Sequence, residues 1–163
     1  EHLKPHHGRT IPERIFDWNN LFYVCPHCNK IKKESKYDDK IIDCCKEDPE
    51  KMLEQCYEEG HVNVHNIVDE ERAIMTADLI QECFEKRNTG IWEAACQHRI
   101  DRLAEEMNIL YKTLEKHKRN PELLRYKRSL RSTLSRNSIF AAFKRNYVRK
   151  HISDYPDLEE FLV

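Results

Sequence analysis

Within the first thirty residues stand a carboxylate beside an imidazole (Glu1-His2), an Asn20 directly ahead of Leu21, and Cys25-Pro26-His27-Cys28-Asn29 running into Lys30, Lys32 and Lys33. These residue types match what phosphodiester hydrolysis needs: a cation to neutralise charge on the phosphate and leaving oxygen, and a base to activate water. Magnesium takes hard oxygen ligands and keeps several waters, so a pair of protein oxygens suffices; Glu1 and Asn29 can supply them. An unperturbed imidazole titrates at about pH 6.5, which makes His2 the candidate general base. Asn20, through its side-chain or backbone oxygen, would accept the other imidazole N–H and fix the tautomer. Cys25 and Cys28 have the spacing of one half of a tetrahedral zinc site. His7, Arg9, Lys30 and Lys33 are further candidates for phosphate contacts.

Positioning these groups requires a small scaffold. A strand over residues 1–5 projects Glu1 and His2 to opposite sides, one toward metal and one toward water. Residues 21–25 form its partner strand, Arg9 to Asn19 the loop between them, and residues 27–34 the helix carrying Asn29. Trp18, Phe22 and Tyr23 read as the core of this miniature fold. Asp48-Pro49-Glu50 carries helix-start signals and predicts a helix to about Glu58. The stretch from Gly60 to His65 alternates as a strand does, and Asp69 caps a helix through Glu85 that turns Ile74, Ala77 and Phe84 inward. After an Asn88-Thr89-Gly90 turn a long helix places Ala95, Ile100, Leu103, Met107 and Leu110 at helical spacing. Asn120-Pro121 and Ser135 to Ser138 each restart a helix, and Tyr155-Pro156 opens an acidic terminal turn. The fold class is α+β, mostly α: a small ββα-metal module over residues 1–50, then a helical region over 51–163.

Three glycines in 163 residues argue against a sandwich or barrel, and no apolar run reaches the eighteen or so residues of a membrane span. Cys56, Cys83 and Cys96 read as buried small hydrophobes on helices, and cysteine usage fits a reducing, cytoplasmic setting. The net charge of −1 conceals segregation: +2 over residues 1–40, −10 over 41–110, +11 over 111–150 and −4 over 151–163. The basic stretch, with Arg128 and Arg131 among its candidates, suits phosphate contact, with neutralisation by the acidic middle as the competing reading.

The nine-residue step from Asn20 to Asn29, with Cys25-x-x-Cys28 just before it, resembles the HNH (ββα-metal) endonuclease family in its H-N-N form. The run Lys40-Ile41-Ile42-Asp43-Cys44-Cys45-Lys46-Glu47-Asp48-Pro49-Glu50 is similar to the segment following the HNH site in the nuclease subunit of Septu and Septu-like retron antiphage systems. The resemblance implies an endonuclease cutting DNA or RNA with Mg²⁺ or Mn²⁺, and a structural Zn²⁺ whose second cysteine pair lies upstream of Glu1 in a longer native protein. Without that pair, Cys44, Cys45, His6 or His7 would have to complete the zinc site. It further implies a partner ABC-type ATPase and, in retron systems, a reverse transcriptase with its noncoding DNA. The alternative is a non-catalytic zinc knuckle that binds nucleic acid or a partner, which the Cys25–Cys28 spacing alone permits.

Overall fold

A computed structural model describes residues 1–85 and 90–162. The fold is α+β and mostly helical, its one sheet a two-stranded antiparallel hairpin. The chain divides into two compact units, Glu1–Glu54 with Val64–Cys96, and Gln55–Asn63 with Gln97–Val163. This division differs from a simple cut after residue 50.

In the first unit the expected pairing of residues 1–5 with 21–25 shrinks to a single antiparallel bridge, His2 to Leu21. Two short 3-10 turns, Pro12–Arg14 and Trp18–Asn20, fill the loop between them. Asp17 caps the second, its carboxylate accepting from Asn19 N at 2.9 Å. Because one bridge offers no sheet face to bury side chains on, Trp18 (85% exposed) and Tyr23 (106%) stand in solvent; their expected core role is not realised. Helix α1 (Pro26–Ile31) starts with proline at its first position, capped by Cys25 Sγ accepting from Cys28 N at 3.4 Å. A short α2 (Glu34–Tyr37) follows and buries Tyr37.

The helix expected from Asp48 to Glu58 is not formed. Asp48 Oδ1 accepts from Glu50 N at 3.2 Å, but this cap serves only a 3-10 turn, Pro49–Lys51. The chain then enters β1 (Leu53–Glu58), which pairs with β2 (His61–Asn66) through Glu59 (φ 50°) and Gly60 (φ 83°). Two consecutive left-handed residues match the twist of a tight hairpin turn, and that hairpin overrides the helix-start signal. Cys56 is therefore buried on a strand rather than on a helix. Helix α3 (Glu71–Phe84) begins after Glu70, one residue beyond the expected Asp69 cap, and makes no side-chain cap bond. It buries Ala73, Thr76, Ala77, Cys83 and Phe84, leaves Ile74 exposed, and packs against α1. Thr76 Oγ1 accepts from Ile42 N at 2.9 Å, and Arg72 forks onto Glu47 with both contacts at 2.6 Å, so the 42–47 segment is held to α3.

The turn expected at Asn88-Thr89 lies outside the described residues. Helix α4 (Gly90–Arg119) gives the second unit Leu103, Met107, Leu110 and Leu114, one stripe at heptad-like spacing. Helix α5 (Leu124–Thr133) adds Leu130, helix α6 (Ala141–Lys150) adds Phe143 and Val148, and a terminal 3-10 turn, Pro156–Phe161, adds Leu158. The basic stretch is not uniformly on the outside: Lys144 and Arg145 are each 1% exposed. Lys144 reaches Glu106 at 3.3 Å, and Arg145 donates to the carbonyls of Leu134, Phe161 and Leu162.

Candidate active site

The His2–Leu21 bridge sets the geometry. Phe22 N donates to Glu1 O at 2.8 Å and Leu3 N to Asn20 O at 2.9 Å, so His2 and Leu21 are the non-hydrogen-bonded pair, with side chains adjacent on one face. His2 Nε2 lies 3.1 Å from Ile15 O. A carbonyl only accepts, so in the neutral ring Nε2 carries the proton and Nδ1 keeps its lone pair. His6 stands edge-on to the ring, centroids 5.1 Å apart at 86°.

The expected bond from Asn20 to the imidazole is not made; Ile15 O takes that place. Asn20 is buried and clasps the backbone instead: Oδ1 accepts from Lys4 N at 2.7 Å, while Nδ2 donates to Lys4 O at 2.9 Å and Arg14 O at 3.1 Å. It thus fixes the carbonyl one residue before the one that orients His2. Asn20 is a positioning residue, acting through the loop.

Glu1, His2, Pro5, His6, Lys32 and Asp38 line a cavity of 210 Å³. Lys32, on the residue that ends α1, reaches into it: Nζ donates to His2 O and to Leu3 O (2.7 Å for the latter) and lies 3.6 Å from Glu1 Oε1. Burial pushes its pKa below the usual lysine value, against the pull of Glu1. An oxygen-lined spot therefore already hosts a positive charge.

Asp38 enters the cavity from a left-handed residue (φ 35°) just after α2. The adjacent Asp39 is gripped by Arg14, Nη1 and Nη2 meeting its two oxygens at 3.0 and 2.8 Å while Nη1 also donates to Pro5 O at 2.9 Å. On the other side His7, Gly8 and Arg9 are three consecutive left-handed residues (φ 47°, 63° and 74°), an arrangement only the glycine adopts without strain. Thr10 supports the arc, its N and Oγ1 both donating to His7 O, at 3.2 and 2.8 Å.

The arc brings His7 Nε2 to 3.1 Å from Asp38 Oδ1, and ligand atoms of His7, Asp38 and Asp39 all lie within 4.8 Å of one another. Asp38 Oδ1 is shielded from solvent, and its approach to His7 lacks hydrogen-bond geometry. Ligand atoms this close suit convergence on a common cation, in place of the ion pair that His7 and Asp38 make with each other. A carboxylate with an imidazole and waters fits Mg²⁺ or, with the nitrogen ligand, Mn²⁺.

Of the expected metal ligands, Glu1 lines the cavity, whereas Asn29 is exposed on α1 and does not. Lys32, three residues later, occupies the place the sequence suggested for Asn29. Cys25 and Cys28 bring their sulfurs to 3.2 Å. Cys83 and Cys96, rather than Cys44, Cys45, His6 or His7, gather with them into one cysteine cluster. The described residues thus offer a four-cysteine candidate for a zinc site, in which Cys83 and Cys96 take a part that their reading as buried small hydrophobes did not foresee. His27 faces inward, Nε2 lying 3.4 Å from Cys96 Sγ. Arg9 is exposed on the strained arc; Lys30 and Lys33 are exposed and line a separate cavity beside His27. Arg128 and Arg131 belong to the second unit.

Sequence reasoning gave no role to Asp38, Lys32 or Ile15, and weighed His6 only as a zinc ligand. The Asp38-Asp39 doublet was a usable signal; Ile15 acts through its backbone oxygen, which no side-chain pattern announces. No protein-family model matches the chain, and neither the curated proteins nor the solved structures give a match.

Proposed function

We propose that this cavity is the active site of a metal-dependent HNH-type endonuclease that hydrolyses phosphodiester bonds in DNA or RNA. The observation that carries the reading is the imidazole of His2, held in one tautomer by Ile15 O, beside Glu1, Asp38 and Lys32 in one cavity. His2 Nδ1 takes a proton from the attacking water and holds it while Nε2–H stays on Ile15 O. Lys32 offers positive charge to the phosphate oxygens, and His7, Asp38 and Asp39 are the residues that would hold a divalent ion, while Glu1, the ligand expected from sequence, lies beside Lys32. Such an ion, when bound, supplies charge neutralisation at the scissile phosphate. On this reading Cys25, Cys28, Cys83 and Cys96 are the residues that would hold a structural zinc.

Cleavage of plasmid DNA and of structured RNA with Mg²⁺ or Mn²⁺ tests it. His2→Ala should lose roughly a hundred- to ten-thousand-fold in rate; undiminished cleavage by that variant refutes the assignment. Binding without cutting would favour the zinc-knuckle alternative. The Septu-like resemblance adds an ABC-type ATPase that gates the nuclease in antiphage defence, which co-purification and activity of the complex would test. Among the described residues no helix is long and apolar enough to cross a membrane.

A further inference from the structure

In the second unit, residues 124–136 carry five Lys and Arg and no Asp or Glu. Arg128 and Arg131, three residues apart on α5, share a helix face. With Ser132, Ser135 and Arg136 they line a groove of 660 Å³. Its floor is Arg145, whose guanidinium donates to Leu134 O at 3.0 Å, Phe161 O at 2.9 Å and Leu162 O at 2.6 Å, fixing the opposite wall. Glu160 is the acidic residue on that wall, and it is paired with Lys127 Nζ at 2.8 Å.

Several basic residues of this unit meet carboxylates: Lys144 with Glu106 at 3.3 Å, Lys118 with Asp154 at 2.8 Å, Arg119 with Glu115 at 3.6 Å. Arg128 and Arg131 form no ion pair among the described residues, and both are exposed. Internal neutralisation therefore leaves out Arg128 and Arg131. Guanidinium forks and serine hydroxyls recognise phosphate oxygens. A protein partner would need buried aromatic or aliphatic anchors at the centre of its footprint, and among the described residues Phe161 is the one apolar residue that lines this groove.

We propose that the α5 groove holds the phosphodiester backbone of nucleic acid, through charge and without reading bases. The choice of polymer rests on the nuclease reading above; the groove's affinity for phosphate does not. The test uses the full chain in metal-free buffer, where cutting does not confuse binding, with fluorescent duplex DNA and a single-stranded oligonucleotide over a salt series. Arg128→Gln/Arg131→Gln should weaken binding to unrelated sequences alike. It should also make the slope of log K against log salt shallower by about 1.8 on duplex, at roughly 0.9 per lost phosphate contact. Both positions are exposed, and an unchanged melting curve establishes that the variant folds.

Unchanged affinity and slope in the variant overturn the proposal, as does a native chain that binds neither polymer at low salt. Loss of an acidic protein partner with nucleic-acid binding intact overturns it in favour of a protein-docking groove. Because no metal is present, a failed His2→Ala cleavage test leaves this result standing, and a failed groove test leaves the nuclease reading standing.

Discussion

Replacing Asn20 separates a structural clasp from a catalytic contact. The native side chain closes three hydrogen bonds, to Lys4 N, Lys4 O and Arg14 O at 2.7, 2.9 and 3.1 Å, from a site 5% exposed. A hydrogen bond contributes about 1 kcal/mol net, and an orphaned buried partner costs about 1–3 kcal/mol. With its partners only part-buried, Asn20→Ala should cost about 2–4 kcal/mol, a drop of about 10–25 °C in melting temperature for a unit of this size. Asn20→Asp keeps an acceptor for Lys4 N but turns a second oxygen toward two carbonyls. That oxygen can donate only when protonated, so the folded-state pKa of the new carboxyl is raised above its unfolded value. Its stabilisation is then present at low pH and lost as pH rises through the raised pKa. The Asp variant should therefore be less stable than the Ala variant at pH 8 and more stable near pH 4. Urea unfolding of both variants at each pH reads the difference directly. Loss of less than about 0.5 kcal/mol in Asn20→Ala, within the range of ordinary surface changes, would refute the clasp. An Asp variant that outlasts the Ala variant at pH 8 would refute the assigned donor geometry. In cleavage assays both should lower kcat more than they raise KM, because Arg14 O and the Ile15 O that orients His2 are neighbours on one loop.

Other expectations follow from the same geometry. Arg14→Lys keeps the charge but loses the fork onto Asp39, and Mn²⁺ affinity measured by electron paramagnetic resonance should fall about 10–100-fold, as for other residues that orient ligands; affinity equal to the native chain would show that the 38–39 turn is held otherwise. Asp38→Asn should weaken Mn²⁺ binding with little change in melting temperature; a large loss of stability without loss of binding would make Asp38 a structural residue. Burial, with Tyr147, Tyr57 and Glu58 nearby, pushes the Tyr111 phenol up to about 12. The folded state then keeps a proton that the unfolded state has lost, so the stability this confers declines as pH rises from 10 toward 12. Ultraviolet titration should lose its latest-ionising phenol in Tyr111→Phe, and an unchanged curve would contradict the burial argument.

Much of the site's frame was legible from residue types. The pairing of His2 with the segment after Asn20, the helix behind Cys25-Pro26, the strand at His61–Asn66 and the terminal turn after Tyr155-Pro156 all follow signals with local causes. The misread segments share a different origin. Asp48-Pro49 does start a turn, but Glu59-Gly60 downstream closes a hairpin, and the non-local pairing wins. Nothing local sets the buried Lys144 and Arg145 apart from the rest of the basic stretch, because burial of a cation depends on partners distant in the chain, Glu106 for one and three backbone carbonyls for the other. Asp38 is far in sequence from Glu1 and His2, and only the strained arc at His7–Arg9 and the Arg14 fork bring its turn to them.

Two kinds of contact on the terminal turns of the second unit respond differently to their surroundings. Lys118 with Asp154 and Lys127 with Glu160 are exposed pairs, and the Lys118 ammonium holds the Asp154 carboxyl below its ordinary range. A carboxyl of lowered pKa gives up its contribution as pH falls through that value, and salt screens such pairs at any pH. Arg145 behaves differently: its three partners are carbonyls, which do not titrate, and its side chain is buried. Acid or brine would thus strip the outer fasteners and leave the inner one closed, so that the last turns stay seated under conditions that dissolve every visible salt bridge around them.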